Sequence, residues 1–232
     1  MTASKNISTG LMMAVLTVLC WASYNVAAKS GIDAGMSAET LTFLRFAVPG
    51  IIAIPIATKI CLRGAPSSAS LPRLLVLVCL GGPLFGMAGV SGYAFAPLSH
   101  GLLFAPVAVF VSASFLGGLL LKEKMGMSRL MGALIMFAGL AVLVGFQLSG
   151  LSQDWWRGAA CFIAAGVMWG SYTALIKRWD IPMLEGTALV AAGSAIVAIL
   201  LFQGCVAGHR GRLQAISGFG SAQPRGRAPG HR

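Results

Sequence analysis

Two polar–aromatic groups recur in this chain with the same spacing. Trp21-Ala22-Ser23-Tyr24 is followed by Asn25 and Lys29, and Trp169-Gly170-Ser171-Tyr172 is followed by Lys177. Indole and phenol rings carry flat apolar faces with one polar tip each. Asn25 adds an amide on the helix face of Trp21, four residues away. Such groups can hold a small molecule with both apolar and polar parts. Tyr93 is a further candidate of this kind. Arg45 offers different chemistry, because its guanidinium is a permanent cation that matches carboxylate and phosphate oxygens. The candidate binding residues are therefore Trp21, Tyr24, Asn25, Arg45, Tyr93, Trp169 and Tyr172.

Nucleophilic chemistry has one candidate. Gly89-Val90-Ser91-Gly92 places a serine between glycines, and His100 follows nine residues later. A serine nucleophile needs a base within about 3 Å. The glycines have a competing explanation in helix packing, since Gly82, Gly86 and Gly89 fall on one face of a helix. Cys20, Cys61, Cys79, Cys161 and Cys205 show no CxxC spacing and no histidine at ligand spacing. They read as small apolar core residues, and neither a metal nor a cofactor is expected.

The elements that must position these residues are apolar helices. Charged residues make up 10% of the chain and the hydrophobic set 57%, whereas about a quarter of a soluble domain is charged. The apolar residues form seven blocks: 10–28, 41–57, 74–96, 101–121, 130–147, 158–176 and 186–206. A membrane helix needs roughly 20 apolar residues. In lipid, each segment must satisfy its own backbone hydrogen bonds, which a helix does. The expected fold class is all-α, a polytopic membrane bundle with the lipid bilayer as its surroundings. Pro49, Pro55, Pro83 and Pro106 fall in or near these helices and should kink them.

The net charge of +11 does not imply nucleic acid, because most Lys and Arg lie between the apolar blocks. With the N-terminus in the cytoplasm, nine basic residues fall in inside loops and two, Lys29 and Arg157, in outside loops. That is the bias of cytoplasmic loops. Arg45 then has three readings: an anchor for an anionic group, a partner of Glu39, or a side chain snorkelling to the headgroups. The tryptophans and tyrosines likewise have a competing reading as an interfacial belt. The second recurrent group starts five helices after the first. Five is odd, so the copies run in opposite directions. Gly10 matches Gly158, Trp21 matches Trp169, Tyr24 matches Tyr172 and Lys29 matches Lys177 in one register. Inverted repeats of this kind place a site near the membrane midplane, and such architecture points to secondary transport.

Residues 10–147 resemble an EamA-type unit of the drug/metabolite transporter superfamily. The resemblance rests on Trp21 to Tyr24 with Lys29, Leu44-Arg45-Phe46, Pro106 with the helix end at Lys122-Glu123, and Gly132 with Gly139. It implies an inverted-repeat transporter of ten helices that moves small metabolites or drugs, often outward, across the bacterial cytoplasmic membrane by alternating access. Residues 158–206 resemble the first two helices of a second unit. Residues 207–232 depart from the family: a basic Gly/Arg/Pro-rich tail with five arginines reads as disordered. The second unit is thus expected to be incomplete. That leaves another reading open, a non-transporting fragment or an assembly subunit, with a homodimer or a complementing membrane subunit as partner. Ser91 also fits the GxSG pattern of rhomboid intramembrane proteases, but the supporting His and Asn groups of that family are absent.

The repeat makes one direct prediction. Single cysteines placed at Lys29 and Lys177 should react with a membrane-impermeant maleimide from opposite faces of the bilayer. Labelling of both from one face would end the inverted-repeat reading.

Overall fold

The computed structural model describes residues 2–64, 69–122, 126–147 and 153–221. Among these residues the chain forms eight helices and no strand: α1 Thr2–Asp33, α2 Ala38–Leu62, α3 Leu71–Gly81, α4 Pro83–Gly92, α5 Leu98–Leu121, α6 Met127–Gln147, α7 Trp155–Arg178 and α8 Met183–Ser221. All seven expected blocks are helical. Six segments of the described residues are long and apolar enough to cross a membrane, with α3 and α4 together forming one of them.

Local chemistry sets the helix ends. Ser37 caps α2, its side chain accepting the Thr40 backbone N–H at 3.2 Å, and Glu39 lies in the first turn where the helix dipole favours an anion. Gly35 turns the chain between α1 and α2 at φ +84°, a backbone state that glycine adopts without steric cost. Lys29 pairs with Asp33 one turn on.

The third apolar block is broken, a feature its hydrophobicity did not reveal. Gly82 is non-helical (φ −103°, ψ −144°), and Pro83 opens α4 at the position where a missing N–H costs least. The break changes what the nearby glycines touch. A Cβ on Gly82 would lie 2.5 Å from Ser194 Oγ of α8, one on Gly86 would meet Phe46 of α2, and one on Gly89 would meet Ala165 of α7. The shared helix face expected for these three glycines is therefore corrected to contacts with three different helices. Pro49, Pro55 and Pro106, by contrast, lie inside α2 and α5, which continue through them.

Small residues bring the helices together. Along α7, a Cβ on Gly158 would meet Ala96, one on Gly166 the Ala105 carbonyl at 2.5 Å, and one on Gly170 the Val109 carbonyl at 2.8 Å. The contacts climb both chains in the same direction, so α5 and α7 run parallel. Against α4 the order is reversed: Gly92 meets Phe162 and Gly89 meets Ala165. On the other side, Gly50 of α2 lies against Ala195 of α8, and Phe43 stacks on Phe202 at 4.6 Å. Lipid tails are as apolar as leucine, so such packing must come from close fit. The large apolar side chains of α1, such as Leu11, Leu16 and Leu19, are exposed, as expected for a lipid-facing helix.

Two further expectations change. Cys20, Cys61 and Cys79 are exposed rather than in the core, and Cys161 is half-buried. Helix α8 continues to Ser221, through the first part of the basic 207–232 stretch expected to be disordered. The first proline after Met183 is Pro224, and glycine alone weakens a helix by only about 1 kcal/mol per residue. Residues 222–232 lie outside the described residues, as do Glu123 and Lys124.

Packing of α7 is testable by a paired substitution. Gly166→Ala should lower stability by about 1–3 kcal/mol, the usual cost of overpacking. Gly132→Ala, where a Cβ meets nothing within 4 Å, should be neutral or slightly stabilising. Thermal unfolding in detergent compares the two directly.

Candidate functional site

A cavity of about 890 Å³ runs between α1, α2, α4, α5, α6 and α7. Along α5 its wall extends from Gly101 to Leu121, about 30 Å at the rise of an α-helix. That matches the thickness of a bilayer core. The lining is mostly apolar, with polar groups at a few places.

Six of the seven candidate residues line this cavity: Trp21, Tyr24, Asn25, Arg45, Tyr93 and Trp169. The seventh, Tyr172, lies behind the wall. Its ring stacks on Trp169 at 5.1 Å and packs over Gly81, next to the α3–α4 break. The structure thus brings together two groups that are 148 positions apart in the chain.

The link between them is Phe85, which sequence reasoning missed. The Arg45 guanidinium carbon lies 4.2 Å from the Tyr24 ring centre and 5.1 Å from that of Phe85. Phe85 in turn lies 5.0 Å from Trp169. Tyr24, Arg45, Phe85, Trp169 and Tyr172 therefore form a continuous run of ring and guanidinium contacts. Phe85 carries no polar atom and belongs to no repeat, so its sequence gave no signal. Its place comes from the break at Gly82 and Pro83.

Arg45 is half-buried and seven residues into α2, about 10 Å from the helix start. Among the described residues it forms no ion pair, with Glu39 or any other acid. An arginine at the bilayer centre costs roughly 2.5–3.5 kcal/mol on insertion scales. A cation–π contact returns about 0.5–2 kcal/mol, so two close rings offset much of that cost without neutralising the charge. Of the three readings open for Arg45, the Glu39 pair is the one the geometry does not contain.

Asn25 is buried. It donates from Nδ2 to the Trp21 carbonyl at 2.8 Å and accepts at Oδ1 from the Tyr93 hydroxyl at 2.8 Å. This bond ties α1 to the end of α4, and Tyr93 packs over Gly101 of α5 and against Phe162 of α7. The Tyr24 hydroxyl is buried without a hydrogen-bond partner among the described residues. Thr17 spends its hydroxyl on the Met13 carbonyl of its own helix. Lys177 lines the opposite end of the cavity, and it was absent from the candidate set because the repeat marked it only as a loop charge.

The protease alternative needs a Ser91–His100 pair. His100 is almost fully enclosed, and neither ring nitrogen has a hydrogen-bond partner among the described residues. Its neighbours are the rings of Phe104 and Trp155. Nothing in this arrangement activates Ser91.

The cavity is long and membrane-deep, and among the described residues its lining includes no His, Asp or Glu. Residues 8–145 match the EamA-like transporter family. The chain belongs to that family. Related proteins include "Uncharacterized protein PA1977" of Pseudomonas aeruginosa, 29% identical over 84% of this chain and 66% of the relative. "Uncharacterized inner membrane transporter YhbE" of Escherichia coli K12 is 27% identical over 75% of this chain and 57% of the relative. The chain thus spans about three-fifths of the length of these curated relatives. No solved structure matches it significantly. Family membership and the apolar helices together identify a multi-pass membrane protein of the EamA-like transporter family.

The Asn25–Tyr93 bond gives a stability prediction. Tyr93→Phe leaves Asn25 Oδ1 without its donor in a buried place, which should cost about 1–3 kcal/mol. Thermal unfolding of the purified variant measures it, and an unchanged midpoint would show that the bond contributes nothing.

Proposed function

We propose that the chain carries the substrate path of an exporter for a small amphipathic metabolite or drug in the bacterial cytoplasmic membrane, with its N-terminus on the cytoplasmic side. The observation that carries this reading is the cavity itself. It runs the depth of a bilayer, and six of the seven sequence-selected polar and aromatic residues line it. Trp21, Tyr24, Asn25, Arg45, Tyr93 and Trp169 would contact the substrate, and Tyr172 would hold Trp169 in place. The loop charges support the orientation. The name of the Escherichia coli relative supports the membrane assigned here.

In the proposed mechanism, the unit formed by residues 10–147 and the helices of 158–206 rock against each other around the aromatic run, exposing the site alternately to each side. Phe85 and Trp169 meet where α4 passes α7, so a shift between these helices would open or close the contact at that level. The length of the relatives favours a second reading in which these helices work with further ones, from a continuation of the chain or from a partner subunit.

A resistance screen tests transport. Cells expressing the chain should tolerate higher external concentrations of toxic amphipathic amino-acid or aromatic-acid analogues than cells with empty membranes. Trp169→Ala, at equal membrane abundance, should lose most of that tolerance. If no analogue in the panel is tolerated better, the chain by itself is not an exporter of this class.

A further inference from the structure

The cavity has a definite electrostatic sign. Among the described residues its lining includes two cations, Arg45 and Lys177, and no acidic side chain. The two cations lie at different depths. Arg45 reaches Phe85, which meets Trp169 of α7. Lys177 is eight residues further along α7, next to the helix end at Arg178, so it lies about 12 Å closer to the bilayer surface. One cation therefore stands at the mouth and the other deep inside.

The deep cation is held but not neutralised. The Arg45 guanidinium lies against aromatic faces, those of Tyr24, Phe85 and, further off, Phe46. A guanidinium stacked on rings keeps its N–H edge for a planar acceptor, and a carboxylate fits that edge with two parallel hydrogen bonds. Beside it, Phe85 and Trp169 present tilted rings 5.0 Å apart. A flat apolar body can lie against them while its carboxylate meets Arg45. A cationic molecule would face the like charge of Arg45, which has no ion-pair partner among the described residues, and a neutral amide could not neutralise the guanidinium.

We propose that this cavity selects amphipathic organic monoanions: molecules with one carboxylate, anchored by Arg45, and an aromatic or similarly flat apolar body against Phe85 and Trp169. Lys177 lines the same path nearer its mouth. This inference rests on reading the cavity as the substrate path, and it names the substrate class that the path admits.

The test uses the full chain in lipid nanodiscs and three probes of the same shape: phenylacetate, phenylacetamide and phenethylamine. Trp21 and Trp169 line the cavity, so tryptophan emission reports binding. Phenylacetate should bind at least tenfold more tightly than either of the others. Arg45→Gln should reduce that preference to less than threefold, while Arg45→Lys, which keeps the charge, should retain part of it. A matching thermal midpoint for both variants guards against misfolding. Equal binding of the three probes, tighter binding of phenethylamine, no binding of phenylacetate, or an undiminished preference in Arg45→Gln would each overturn the proposal. Binding with this preference but without movement in proteoliposomes would instead count against the transport reading and leave the anion site standing.

Discussion

Helices in lipid gain little by hiding apolar surface from each other, so the strength of a contact depends on how closely two backbones can approach. In this chain that constraint is met along α7. Gly166 and Gly170 let α5 come within reach of its backbone, and Gly158 does the same for the end of α4 and the turn after it, where any side chain would collide. On its other flank, α4 packs Gly89 and Gly92 against Ala165 and Phe162. Once α7 is gripped on two sides, its remaining face and the facing parts of α1, α2 and α4 bound an open volume. The cavity is the space that close packing elsewhere leaves over.

The break at Gly82 and Pro83 is the second decision of the fold. An unbroken third helix would carry Phe85 in a single register with Val78 and Leu77. The break frees α4 to approach α2 through Gly86 and α7 through Gly89. Phe85 then falls between Arg45 and Trp169. Without it, the Arg45–Tyr24 pair and Trp169 would share a cavity but not a contact. Asn25 and Tyr93 reinforce the same place from the α1 side, through one buried hydrogen bond. A polar group with its partner supplied costs little in a membrane, whereas a polar group left alone is expensive. Arg45 is intermediate, compensated by rings and still charged.

How much of this was legible beforehand differs by residue. The helix class and the number of apolar blocks followed from composition and length, because lipid permits few other structures. Trp21, Tyr24 and Trp169 were found because a repeat kept them in register. Asn25 and Arg45 were found because polar groups are rare in such segments. Phe85 and Gly166 gave no signal, since phenylalanine and glycine are ordinary in membrane helices and acquire meaning only from what they touch. Tyr172 was selected by the same repeat as Tyr24, yet it lies behind the wall. The repeat preserved a pattern along the helix, while the two neighbourhoods around it differ.

By itself the sequence determined that the chain is a helical membrane protein, where most apolar segments begin, and which polar side chains would need company. Those properties are local, set by hydropathy and backbone hydrogen bonding within each segment. The tertiary structure alone decided which partner each polar group received: aromatic faces rather than Glu39 for Arg45, Tyr93 for Asn25, and none among the described residues for His100. Partnership between distant residues depends on the rotation and crossing of whole helices. These are fixed by small-residue contacts and one helix break, whose energies are spread over many positions and leave no pattern at any one of them.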